Sequence, residues 1–91
     1  MKDQYNTVIL QIIKYQEEII GPLAWSQAQE VAGIEIKNQL ILLNGNGKII
    51  LETLVNKYKT LFGQASVEAC KDALRETQLS IASSDLPEIL R

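Results

Sequence analysis

Gly33-Ile34-Glu35-Ile36-Lys37-Asn38-Gln39-Leu40-Ile41-Leu42-Leu43-Asn44-Gly45-Asn46-Gly47 is the stretch on which the fold turns. Ile34-Glu35-Ile36 alternates apolar and polar, Lys37-Asn38-Gln39 is polar, and Leu40-Ile41-Leu42-Leu43 is a short apolar run closed by Asn44-Gly45-Asn46-Gly47. Successive side chains of a strand point to opposite faces, so a period of two followed by turn formers reads as extended chain. The spacing predicts a β-hairpin with residues 34–36 paired to 40–43. A lone two-stranded ribbon is marginal in water, so this one must pack on helices or pair with other strands.

On both sides the period is helical. Tyr5, Val8, Ile9, Ile12, Ile13, Ile19 and Ile20 follow the i, i+3, i+4, i+7 rule from about Asp3 to Ile20, and Gly21-Pro22 ends that helix. Pro22 suits the first turn of a second helix, where its missing N–H is no loss. That helix is expected to run to about Ala32, with Leu23, Ala24, Trp25, Ala28, Val31 and Ala32 on one side and Gly33 as its stop.

After the hairpin, Ile50, Leu51, Leu54, Val55, Tyr58, Leu61 and Phe62 restore the helical spacing from Lys48 to Phe62, and Gly63 interrupts it. A last helical pattern runs to about Ser80 through Val67, Cys70, Ala73, Leu74 and Ile81. This row is out of phase with the preceding helix and predicts a corner at Gly63; the alternative row of small residues, Ala65, Ala69 and Ala73, would instead allow one long, kinked helix. The expectation is one α+β, mainly helical domain, helix-helix-β-hairpin-helix-helix, over residues 1–82. Residues 83–91 form a C-terminal tail, frayed or docked.

Composition excludes several classes. A chain of 91 residues has room for one domain, which buries only about 60% of its unfolded surface, so its stability margin is thin. With 46% hydrophobic and 22% charged residues it lies far from the disordered regime. Nine basic against eleven acidic residues leave a net charge of −2, which gives no field to gather a phosphate backbone. The single cysteine, Cys70, excludes an intramolecular disulfide and suits a reducing, cytoplasmic setting. Apolar residues near the N-terminus are broken by Gln11, Lys14, Gln16, Glu17 and Glu18, unlike a secretory segment, and no run approaches the roughly 20 apolar residues of a membrane span.

The chemistry-bearing residues are few. Histidine is absent, which removes the commonest general base and the commonest transition-metal ligand together. Cys70 sits in a helical pattern as a small core residue would. Asn44-Gly45-Asn46-Gly47 has some of the look of a calcium loop, but the phase puts Leu42 at the first ligand position and Thr53 at the bidentate one. Its glycines fit a turn with positive φ values better. The same loop lacks the GxxxxGK[ST] spacing of a phosphate cradle.

Glu17 and Glu18 point about 100° apart on a helix and read as a solvated face. Lys57, Lys59, Lys71 and Arg75 are scattered among acidic residues without a stripe. Residues 22–33 resemble the first half of a helix-turn-helix, yet a recognition helix does not follow; a winged-helix variant would have only Lys37, Asn38 and Gln39 on its wing.

The reading that remains is a non-enzymatic protein-interaction or regulatory module, a homodimer or an adaptor subunit, with no catalytic residue, no metal site and no cofactor. Its candidate interaction surface is Trp25, Ile34, Ile36, Leu40, Leu42, Tyr58 and Phe62, and its partner is another protein or a second copy of the chain. Nucleic acid, bound by a winged-helix regulator, is the first alternative and is disfavoured by charge. A small-ligand sensor domain is the second. Membrane association is not expected.

Overall fold

The computed structural model describes residues 2–38, 40–76 and 86–90. The elements follow in the expected order: α1 (Lys2–Ile20), α2 (Leu23–Gln29), β1 (Ile34–Lys37), β2 (Leu40–Leu43), α3 (Gly47–Phe62) and α4 (Gln64–Glu76), then a 3-10 turn, Glu88–Leu90. The strands form one antiparallel ribbon, and the helices enclose the core on its inner side.

α1 is the central element, packing against α4, α2, α3 and β2. Its apolar stripe explains this position: Val8, Ile9, Ile12 and Ile13 are fully buried, whereas Lys14 and Glu18 on the other side are exposed. Ile19, counted in the stripe from the sequence, is 63% exposed at the outgoing end. From α2 the core receives Ala24 and Ala28, and from α3 Ile50, Leu51, Leu54, Val55 and Tyr58. Val67, Cys70 and Ala73 of α4 close it, the row that the phase break at Gly63 implied.

That corner is real. Gly63 takes φ 87°, ψ −175°, with its N–H bonded to the Lys59 carbonyl, and α4 starts at the next residue. A side chain there would be held in the left-handed region that only glycine enters freely. At the other end of α3, the Asn46 side chain accepts from Ile49 N at 3.2 Å and caps the helix that the NGNG turn launches.

α2 is shorter than its apolar spacing suggests and ends at Gln29, not Ala32. Residues 30–33 turn instead, with Val31 N–H on the Ala28 carbonyl and Ile34 N–H on the Val31 carbonyl. Gly33 forces the early exit. At φ +95° its carbonyl accepts from Asn44 N–H at 2.8 Å, and a Cβ there would lie 2.7 Å from the Asn44 oxygen. Ala32, past the end of α2, is exposed rather than on the core side, and so is Leu23 at its first turn.

The expected run of the last helix to Ser80, its contact residue Ile81 and tail residues 83–85 fall outside the described residues. Of the tail, Pro87 and Leu90 are buried, and the 3-10 turn lies against α3 and α4.

Candidate interaction surface

The hairpin register is Ile34 with Leu43, Glu35 with Leu42, Ile36 with Ile41 and Lys37 with Leu40. Residues paired across an antiparallel ribbon share a face. Ile34, Leu43, Ile36 and Ile41 therefore form the inner face, with Ile34 and Ile41 buried and Ile36 and Leu43 partly buried against the core. Glu35, Leu42, Lys37 and Leu40 form the outer face, and all four are exposed. Leu40 is 69% and Leu42 52% exposed, next to one another on β2 and each facing a charged side chain on β1.

The two edges of the ribbon differ. Because Asn44 N–H bonds the Gly33 carbonyl, the pairs that exchange ladder hydrogen bonds are 35 with 42 and 37 with 40, and the peptide groups of Ile36 and Ile41 point away from the ladder. On the β2 edge, Asn6 of α1 donates its side-chain N–H to the Ile41 carbonyl at 2.6 Å. The central helix thus takes up the middle carbonyl of that edge. On the β1 edge, Ile34 N–H is taken by Val31, and among the described residues no group hydrogen-bonds the outward peptide groups of Ile36. Asn38 completes the tip with φ 49°, a left-handed conformation that asparagine tolerates better than most residues.

The structure divides the seven residues singled out from the sequence. Leu40 and Leu42 are on the exposed outer face, and Ile36 is half-buried at the open edge. Ile34 and Tyr58 are core residues, so neither can form part of a free surface. Tyr58 instead fills the space between α2 and α3, its hydroxyl donating to the Ala24 carbonyl at 2.6 Å. Phe62 packs beside it with ring centroids 6.5 Å apart, and Trp25 is partly buried against the core. Leu61, counted in the α3 stripe from its spacing, is instead 50% exposed, and Ile49, which the spacing left out of that stripe, is 58% exposed.

Tyr58 and Cys70 are the buried titratable side chains among the described residues, and burial keeps both protonated at neutral pH. Burial pushes the Cys70 thiol up to about 11, against a smaller lowering by the hydrogen bond from Gln16. Burial, reinforced by the Cys70 charge, holds the Tyr58 phenol well above its ordinary range. A thiol kept protonated is a poor nucleophile. The basic side chains of α4 sit in local helical pairs, Lys71 with Glu68 at 3.9 Å and Arg75 with Asp72, rather than in a stripe.

A cleft of about 370 Å³ opens between the end of α2 and α3, lined by Glu30, Val31, Ala32, Thr53, Asn56, Lys57, Thr60 and Leu61. Lys57 and Glu30 pair across it at 3.3 Å. Among the described residues no cluster of three or more His, Cys, Asp or Glu side chains could hold a metal, and no helix is long and apolar enough to cross a membrane. No protein-family model matches the chain, and neither curated proteins nor solved structures show a significant similarity to it.

Proposed function

We propose that this chain is a non-enzymatic protein-interaction module, acting as a homodimer or adaptor subunit, and that its contact surface is built around the hairpin. The observation that carries the reading is the outer face of the ribbon, where Leu40 and Leu42 stand adjacent and more than half exposed. The inner face already satisfies the need of the hairpin for a hydrophobic support, so these leucines do nothing for the core of their own chain. Adjacent exposed apolar side chains rimmed by charge are the usual composition of a protein contact.

The test is a comparison of partners retained from native lysate by the wild-type chain and by Leu40→Gln/Leu42→Gln. Both positions are solvent-facing, so the variant should fold with an unchanged helical circular-dichroism signal. Proteins retained by the wild type and lost by the variant are the expected result. Identical sets would overturn the outer face as a surface for other proteins and leave only self-association.

A further inference from the structure

We propose that the open edge of β1 pairs with β1 of a second copy, antiparallel and centred on Ile36, giving a four-stranded sheet in the order β2-β1-β1-β2. The inference rests on the interaction reading and specifies its partner and register.

Three observations lead to it. First, among the described residues the two edges differ at their centre: Asn6 takes the Ile41 carbonyl on the β2 side, whereas no group hydrogen-bonds Ile36 on the β1 side. A two-stranded sheet with one unpaired edge gains most from one more strand there, and unpaired strand edges are templates for such addition. Second, the outward peptide groups are those of Ile36. A two-fold axis passing beside Ile36 lets each Ile36 N–H donate to the Ile36 carbonyl of the other copy, while its half-buried side chain gains apolar cover.

Third, the charges select this register. With Ile36 opposite Ile36, Glu35 of each copy stands opposite Lys37 of the other, so two opposite-charge pairs form on the outer face. Shifting by one position in the pairing sum would set the outer face of one copy against the inner face of the other. Shifting by two positions one way places Glu35 against Glu35, and the other way Lys37 against Lys37. Both alternatives oppose like charges. Glu35 and Lys37 are exposed and are in no ion pair among the described residues, so each is free to meet its counterpart.

In this sheet Leu40 and Leu42 lie on the outer strands, two from each copy, and stay open to a further partner. Self-association and the capture tested above therefore separate. Four residues of edge make a small contact, and a weak dimer, with a dissociation constant of about 10–100 μM, is the expected strength.

The experiment is sedimentation equilibrium of the full chain over a range reaching several times that concentration. Wild type should move from monomer to dimer. Glu35→Lys and Lys37→Glu should each weaken dimerisation by about tenfold or more, because both charge pairs become repulsive. The double variant Glu35→Lys/Lys37→Glu should recover the wild-type association, and an equimolar mixture of the two single variants should form a mixed dimer. All these side chains are exposed, so circular dichroism and Trp25 emission should report an unchanged fold.

A wild type that stays monomeric at every concentration overturns the proposal and leaves Lys37 as a guard against edge pairing. A dimer untouched by the single reversals, or not recovered by the double one, overturns it equally. Capture that depends on Leu40 and Leu42 in a monomeric chain would retain the interaction reading while removing the edge pairing.

Discussion

Tyr58 and Gln16 each carry a polar group into the core, at two seams of the same molecule, and they are matched to different degrees. At the seam of α2 and α3, the Tyr58 hydroxyl has one hydrogen to give and gives it to the Ala24 carbonyl at 2.6 Å, while its ring packs among apolar side chains. At the seam of α1 and α4, Gln16 donates to the Ser66 carbonyl at 2.9 Å and to Cys70 Sγ at 3.5 Å, but its own Oε1 has no partner among the described residues. Both side chains are fully buried. A buried hydrogen bond adds about 1 kcal/mol, and a buried unmatched acceptor costs about 1–3 kcal/mol, so the first seam is held by its polar group and the second is held despite one.

Truncating the matched seam should produce the largest effect. Tyr58→Ala removes the bulkiest fully buried side chain and leaves a cavity between α2 and α3. A loss of about 3–5 kcal/mol is expected, which a domain of this size can hardly tolerate. Tyr58→Phe isolates the hydroxyl and should cost about 1 kcal/mol. Urea unfolding followed by Trp25 emission measures both. Equal stability of Tyr58→Phe and wild type would show that the Ala24 bond contributes nothing and that the two seams differ only in packing.

The seams also share a dependence on pH, because the charge on Cys70 in α4 raises the pKa of Tyr58 in α3. The native Cys70 pKa of about 11 stands above its unfolded value of about 9, so the folded state keeps a proton that the unfolded state gives up. Stability from this group is complete below about pH 9 and is lost as pH rises through about 11. Tyr58 acts in the same direction from about pH 10 upward. Unfolding free energy should be flat from neutral pH to about 8.5 and then fall, by about 2–3 kcal/mol from the thiol alone. Cys70→Ala should delay the onset by about one pH unit, to where tyrosine ionises in an unfolded chain. A variant with the wild-type alkaline profile would remove Cys70 from the account.

The order of elements was legible because each boundary coincides with a change of period or a glycine: the switch at Ile34, the turn at Asn44–Gly47 and the corner at Gly63. The end of α2 was not. Val31 and Ala32 keep helical spacing, and only the pairing of Gly33 with Asn44, a contact eleven residues away, pulls the chain out earlier. The outer face was half legible for a similar reason. Leu40-Ile41-Leu42-Leu43 has no alternation of its own, so β2 alone cannot say which leucines face water; the register supplies the answer by setting Leu42 against Glu35 and Leu40 against Lys37. Tyr58 and Ile34 belonged on the core side, and aromatic or β-branched character did not distinguish them from surface anchors. The bond that takes up the Ile41 carbonyl depends on Asn6, a polar residue in α1 that no local pattern singles out.

The smallest effect is expected where the polar group is least well served. Gln16→Met nearly conserves volume, removes the unmatched Oε1 and places a thioether beside Cys70. The lost donor leaves the Ser66 carbonyl inside α4, where the helix itself supplies a bond to the oxygen. Stability at pH 7 should therefore stay within about 1 kcal/mol of wild type or rise above it. The same substitution takes away the one interaction that lowers the Cys70 pKa, so the alkaline loss should extend to higher pH than in wild type. A drop of more than about 2 kcal/mol at neutral pH would mean that the Gln16 carboxamide is fully paired and binds α1 to α4 as firmly as Tyr58 binds α2 to α3. The two seams would then be alike, and burial without a partner would not be what distinguishes them.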